Sequence, residues 1–548
     1  MGMSLLQQAR SKYFPKLPNI LHDFVNLEPK PEYARGAKKN DLEHLFPLTY
    51  QQPFLRFDKG KSLQAPLKVG VVLSGGQAPG GHNVISGLFD AIKKIHYDSR
   101  LFGFCDGPSG IVKNQYIEIT ESLLAFYRNQ GGFDLIGSGR TKIETLEQFQ
   151  AAEKAVNALQ LDGLVIVGGD DSNTNAALLA EYFLKQKCQT VVVGVPKTID
   201  GDLKNESIEV SFGFDTATKT YSEIIGSILN DTISAKKYYY FIKLMGRSAS
   251  HITLECALQT HPNMALIGEE VEAENKSLQD LTHEISDLIC RRADLGKNYG
   301  VILIPEGIIE FLPEFRLLIK ELNTHLADDS INQKIEALTK KDEKILAVSE
   351  MLSPASKKCF QALPEEIQIQ LLLDRDPHGN VQVSKIETER LFIELVKAEL
   401  KTRKAQGKYS GKFSGQPHFC GYEGRSCLPS NFDSQYCYAL GHVAALLIKF
   451  KSTGYMSCVQ KLYLPVEEWT IAGIPLVSMM HLEERGKEPK PVIKKALVDI
   501  KSDIFQQFKK MRQQWALDDD YCNPGPIQFF GPHEITDSIP KTLVVGSQ

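Results

Sequence analysis

No run of about 18 apolar residues occurs in the chain, so no membrane-spanning helix is expected. An excess of one charge is missing as well: 63 basic against 67 acidic residues leave a net charge of −4. Bulk charge therefore does not draw the protein to nucleic acid or to an anionic membrane, and an anionic substrate has to be held by a local cluster of cations and backbone amides. The stretch Met1–Pro15 lacks an apolar core, so no secretory signal is expected. The ten cysteines are scattered, and the nearest to a cluster, Cys420, Cys427 and Cys437, lack the spacing of a zinc site. Reduced thiols in a cytoplasmic protein are the expectation. The pattern G-x-x-x-x-G-K-[ST] is absent too, so any phosphate cradle is not a P-loop.

What is present is an ordinary globular composition, 42% hydrophobic and 24% charged, in 548 residues, a length that one core rarely serves. Residues 1–66 are polar and interrupted by Pro15, Pro18, Pro29 and Pro31; they read as an N-terminal extension. From residue 67 a unit recurs. Leu67–Leu73 is an apolar, β-branched run ending in Ser74-Gly-Gly-Gln-Ala-Pro-Gly-Gly81, with a helical pattern over Asn83–Ile95. Leu161–Val167 ends in Gly168-Gly-Asp-Asp-Ser172, with a helical pattern over Asn175–Lys187. Thr190–Val195 ends in Pro196-Lys-Thr-Ile-Asp-Gly-Asp202. Near-continuous apolar strands alternating with helices predict a parallel sheet covered on both faces. Such sheets bind ligands beyond the carboxyl ends of their strands, where all three loops fall. A second α/β body is expected from about Tyr238, with strands Tyr240–Leu244 and Tyr299–Ile304 and a helical insertion over about 311–404 that holds one β piece at Asn380–Val383. The fold class is thus α/β, with doubly wound domains at 67–237 and 238–480, and 481–548 as a C-terminal helix and tail packed back on the body.

The loops carry the chemistry. Ser74–Gly81 has four glycines in eight positions. Glycines let backbone amides approach phosphate oxygens at a helix N-terminus, although a tight turn would use the same residues. Asp170 suits a magnesium ion, which takes one or two carboxylates and leaves its other positions to phosphates and water. Asp171 or Ser172 could cap the following helix. Thr198–Asp202 sets two carboxylates at i and i+2 beside a hydroxyl and a lysine. Were this loop extended, alternation would point both acids to one side, and a hydroxyl attacking phosphorus needs a base within reach; an Asp-Gly turn is the plainer alternative. His82 is expected to be a hydrogen-bond partner for its loop, His251 and His261 to be structural, and Lys340, Lys341 and Lys344 to form a solvated face.

Gly75–Asn83, Gly168–Ser172, Pro196–Asp202, Met245-Gly-Arg247 and Pro305-Glu-Gly307, in that order, resemble the motifs of the phosphofructokinase family. Gly421-Tyr-Glu-Gly-Arg425, followed by Pro429-Ser-Asn-Phe-Asp433, resembles the sugar-phosphate motif of its pyrophosphate-dependent members. The likeness spans about residues 67–480. The extension and insertion resemble the long group that includes plant catalytic β subunits and some bacterial enzymes. The resemblance implies two Rossmann-like domains, the first for pyrophosphate and Mg2+, the second for fructose 6-phosphate. It implies reversible phosphoryl transfer from pyrophosphate to the sugar 1-hydroxyl, in glycolysis and gluconeogenesis. Carried over by position, Asp200 is the base, Asp202 assists it, and Thr198 contacts the moving phosphoryl group. Gly75 and Gly76 bind pyrophosphate, Arg140 steadies its charge, and Asp170 organises Mg2+. Met245, Gly246 and Arg247 line the sugar site, with Arg247 also counted in the catalytic set. Glu306 binds sugar hydroxyls, and Tyr422 and Arg425 hold the 6-phosphate.

Donor choice rests on Asp171 and Lys197, where ATP-dependent relatives resemble Gly-Gly-Asp-Gly-Ser and Pro-Gly-Thr-Ile-Asp. The rival readings are an ATP-dependent phosphofructokinase, which Asp171 and Lys197 disfavour, and a non-catalytic regulatory subunit, which the presence of Asp170, Asp200, Asp202 and Arg247 disfavours. Where many ATP-dependent relatives set arginines of a neighbouring subunit against the 6-phosphate, this chain has Lys236-Lys-Tyr-Tyr-Tyr240 and Lys408–Gln416, which leaves the cross-subunit contacts open. Subunit-bridging sites imply a homodimer or larger.

Overall fold

Burial accounts for the apolar runs. The computed structural model describes residue 3 and residues 5–33, 42–60, 64–326, 329–373, 381, 385–485, 488–526 and 539–546. Every residue of the strands Gly163–Gly168 and Val191–Pro196 is buried, and in Lys68–Leu73 all but Lys68. Strands without a solvent face must be covered on both sides. They lie within a nine-stranded sheet of order Leu27–Glu32, Phe54–Lys59, Thr470–Pro475, Tyr455–Gln460, Val191–Pro196, Gly163–Gly168, Lys68–Leu73, Arg100–Phe104 and Tyr116–Ile119. The five from Tyr455–Gln460 to Arg100–Phe104 run parallel, and the flanking strands pair antiparallel. Two helices, Gly81–Ile95 and Asn431–Lys449, pack with their backbones nearly touching. A Cβ on Gly87 would fall on the carbonyl of Tyr438, and one on Gly441 on that of Val84, so only glycine fits at either place.

The chain forms two compact units. The first holds 1–220, 423–496 and 527–548, the second 221–422 and 497–526. These bounds differ from the expected 67–237 and 238–480. Residues 423–496 rejoin the first unit because Tyr455 and Met456 pair with Val193 and Gly194. The extension 1–66 contributes strands of its own, joined to the sheet where Arg56 meets Ala472. Of the expected tail, the helix Asp503–Trp515 belongs to the second unit.

The second unit has a parallel sheet of order Gly415–Cys420, Tyr239–Leu244, Gly300–Pro305 and Met264–Ala265. The insertion helices Pro313–Leu326 and Thr388–Ala405 put Leu318, Leu322, Leu391 and Phe392 into one core with Tyr239, Phe241, Ile302 and Ile304. Of the strand expected at Asn380–Val383, only Val381 lies among the described residues. No helix among the described residues is long and apolar enough to cross a membrane.

Candidate active site

In the first unit, the strands Lys68–Leu73, Gly163–Gly168 and Val191–Pro196 end side by side, and their three loops interlock. Gly75, at φ +85, donates its N–H to the carbonyl of Gly139 at 2.8 Å, which ties the glycine loop to the segment carrying Arg140. Ser172 does not cap its helix. Its hydroxyl donates to Ser74 Oγ at 2.8 Å, while the helix Asp170–Lys185 starts from Gly169 with no side-chain cap. Asp170 and Asp171 therefore occupy the first turn, where the helix dipole favours negative charge.

Lys197 is the pivot of this cluster. It is 6% exposed, and its ammonium donates to the carbonyl of Gly76 at 2.6 Å. A Cβ on Gly75 would stand 3.3 Å from the same nitrogen. Burial, reinforced by Arg425 and Arg140 and opposed by Asp200 and Asp170, brings its pKa down to about 8. The Arg425 guanidinium stands over Gly76, with a Cβ there 3.5 Å from its central carbon. This residue, which the resemblance gives to the sugar 6-phosphate, thus belongs to the first unit and rests on the glycine loop.

The segment Thr198–Asp202 is not extended. Gly201 sits at φ +75, in the left-handed region that favours glycine, and Asp200 N–H donates to Thr198 Oγ1 at 3.0 Å. The Asp-Gly turn is what forms, and alternation places neither carboxylate. Asp200 acts on Lys197, while Asp202, buried, acts on Asp170. Burial holds the Asp170 carboxyl above its ordinary range, with Asp171 and Asp202 adding to the effect and Lys495 opposing it.

Two cations escaped the sequence reading. Lys142 pairs with Asp171 at 3.2 Å; it lies two residues after Arg140, and that closeness was its only signal. Lys495 lies 3.6 Å from Asp170 and 4.0 Å from Asp202, and no neighbouring motif marks it. His82 is the expected loop partner: Leu135 N–H donates to Nε2 at 3.3 Å, leaving Nδ1 for the Gln130 carbonyl at 3.2 Å. Burial lowers its pKa to about 4, so the ring is neutral.

In the second unit, Met245-Gly246-Arg247, Glu306 and Tyr422 follow three adjacent strands at their carboxyl ends. Gly246 N–H donates to Glu306 Oε2 at 2.9 Å. Gly307 packs so closely on the Arg247 carbonyl that a Cβ would overlap it, so the loops of Arg247 and Glu306 hold each other. Met245 is buried and Tyr422 exposed.

A divalent ion fits the first unit's chemistry. Among the described residues, no group of three or more His, Cys, Asp or Glu is arranged to hold a metal by itself. Asp170 and Asp202, however, are close enough for one ammonium to reach both, the donor set of an ion that takes two carboxylates and fills its shell with phosphate and water.

Residues 68–448 match the family model described as Phosphofructokinase. The chain belongs to the phosphofructokinase family. It is 51% identical over 557 residues to the pyrophosphate--fructose 6-phosphate 1-phosphotransferase of Treponema pallidum, covering 99% of this chain and 97% of that protein. It is also 51% identical to subunit beta 1 of the Arabidopsis thaliana enzyme of that name, over 99% and 94% of the two chains. A solved phosphofructokinase from Nitrosospira multiformis shares the fold at a TM-score of 0.54 and 13% identity, over 88% of this chain and 97% of that one.

Proposed function

We propose that the protein transfers a phosphoryl group from inorganic pyrophosphate to the 1-hydroxyl of fructose 6-phosphate, giving fructose 1,6-bisphosphate and phosphate, reversibly. The observation that carries the donor assignment is Lys197. Its ammonium is buried against the Gly76 carbonyl, in volume that glycine would leave open for a longer donor. Asp171, in the first helical turn, adds a carboxylate that repels a third phosphate.

Catalysis of phosphoryl transfer is mostly positioning and charge stabilisation. Gly75 and Gly76 offer backbone to pyrophosphate, and Lys197, Arg140 and Arg425 surround it with positive charge. Arg425 resting over Gly76 supports a part at the donor loop beside its assignment to the 6-phosphate. Asp200 accepts the proton as the sugar oxygen bonds to phosphorus and the bridging P–O bond breaks, with Asp202 and Thr198 supporting it. In the second unit, Met245, Gly246, Arg247, Glu306 and Tyr422 hold the sugar phosphate. Asp170, with Asp202 near it, would hold a Mg2+ ion, which neutralises charge on the donor when bound. We place the enzyme in the cytoplasm as a homodimer or larger.

Purified protein with fructose 6-phosphate and Mg2+, given pyrophosphate or ATP in parallel, tests the reading. Turnover with pyrophosphate far above that with ATP is expected; preference for ATP would overturn it.

A further inference from the structure

The end of the segment 423–496 of the first unit reaches the donor carboxylates from outside every motif. The strands Met480–Arg485 and Glu488–Ile493 pair antiparallel, and the second packs on the helix Asp170–Lys185. The chain that follows is pinned residue by residue. Ile493 N–H donates to Thr174 Oγ1 at 3.2 Å. Lys494 N–H donates to the Met479 carbonyl at 3.2 Å, and Ala496 N–H to the Asp202 carbonyl at 2.7 Å. Lys495 is thereby fixed at its backbone while its side chain remains partly exposed, 39%.

Its ammonium stands 3.6 Å from Asp170 Oδ2 and 4.0 Å from Asp202 Oδ2. Both separations are ion pairs longer than a direct hydrogen bond. A compact, strongly hydrated ammonium on a flexible stem suits a loose hold better than a locked one. Asp171 and Asp202 both repel the Asp170 carboxylate here; Lys142 serves Asp171, and Lys495 serves Asp170 and Asp202. The pair that Lys495 spans is the pair that fits a divalent ion, so the two cations compete for it.

Resting on the donor reading above, we propose that Lys495 is a positioning residue of the donor site. It holds Asp170 and Asp202 together while the site is empty of metal, and it gives way when a divalent ion arrives with pyrophosphate. Its ammonium then contributes to binding of that anion. The C-terminal part of the chain thus completes the pyrophosphate site and sets its demand for metal.

The test uses the full chain with Lys495→Met and Lys495→Arg. Binding of Mn2+ alone is followed through the electron paramagnetic resonance signal of the free ion, and Michaelis constants are measured for both substrates. Without its competitor, the metal should bind the Met variant several-fold more tightly than the wild type. The Michaelis constant for pyrophosphate should rise about tenfold, with that for fructose 6-phosphate changed less than about twofold, the scale of losing one partly buried charge contact. Arginine should restore most of the pyrophosphate value. Equal Mn2+ affinity in wild type and Met variant, or parallel loss for both substrates as a merely structural lysine would give, overturns the proposal. A wild type that uses ATP and ignores pyrophosphate defeats the donor reading instead and leaves the Mn2+ comparison readable.

Discussion

Replacing Lys197 by methionine should separate stability from function. The side chain keeps the unbranched stem of lysine as far as Cε and loses the ammonium with its charge. In the folded protein the ammonium pKa falls from 10.5 to about 8, chiefly through burial, a penalty on the charged form of about 3 kcal/mol. Because the folded chain releases this proton before the unfolded chain does, the penalty is complete below about pH 8 and is relieved as pH rises toward 10.5. Methionine removes the penalty but strands the Gly76 carbonyl, at a cost of about 1–3 kcal/mol. The variant should therefore melt at or slightly above the wild-type temperature at pH 7. Its kcat/KM for pyrophosphate should fall by about 10- to 150-fold, the worth of one charge-assisted contact of about 1.5–3 kcal/mol. A pH series provides the second readout. An anionic donor favours the protonated lysine, so wild-type affinity for pyrophosphate should decline above about pH 8 more steeply than that of the Met variant. Ionisation of the donor itself is common to both proteins and cancels. Identical pH profiles, or a destabilised variant that keeps its pyrophosphate affinity, would refute the reasoning.

Asp200→Ala should lower turnover by about 10²–10⁴-fold, the usual worth of a positioned base, with little change in fructose 6-phosphate binding; more than a tenth of wild-type turnover would remove Asp200 from that role. Asp171→Gly combined with Lys197→Gly should raise the ratio of ATP to pyrophosphate activity by removing both a barrier to a long donor and an attraction for a short one, and an unchanged ratio in the folded double variant would sink this account of specificity. Asp433, buried beside Asp215, has its pKa pushed up to about 7, mainly by burial. The folded state therefore binds the proton more tightly than the unfolded one, and this group's contribution to stability is lost as pH rises from about 4 to about 7. Thermal melting at pH 5 and pH 7.5 should show a smaller difference in Asp433→Asn than in wild type, and equal differences would contradict it.

Much of this was legible in the residues, for reasons that differ by element. Gly163–Gly168 and Val191–Pro196 announce themselves because strands covered on both faces must be apolar throughout. Gly75 and Asp170 stand out because the loops that hold them fall at the carboxyl ends of adjacent parallel strands, where such sheets bind ligands. The turn at Gly201 was the plainer alternative for an Asp-Gly pair, and backbone preference prevailed over the side-chain alternation that an extended loop would have allowed. The return of Tyr455–Gln460 to the first sheet was not legible, since pairing Tyr455 with Val193 is a long-range event with no local mark. Lys495 was hidden for the same reason: its partners are chosen by where the strand Glu488–Ile493 docks, and a lysine beside a lysine resembles any solvated pair. Asn173, whose amide donates to the Gly168 carbonyl at 2.6 Å, braces the loop after Gly163–Gly168 from a position that reads as an ordinary helical residue.

The place of Thr470–Pro475 in the large sheet has a consequence for synthesis. Among the described residues, Phe54–Lys59 joins that sheet through Thr470–Pro475, so these strands must wait for one made much later. At about 5–20 residues per second, roughly 400 residues of translation separate them by about 20–80 seconds. Through that interval the N-terminal strands have only each other, and a lone two-stranded ribbon is marginal in water. The growing chain therefore carries an unsatisfied β edge through that interval, and the edge closes when Thr470–Pro475 folds home.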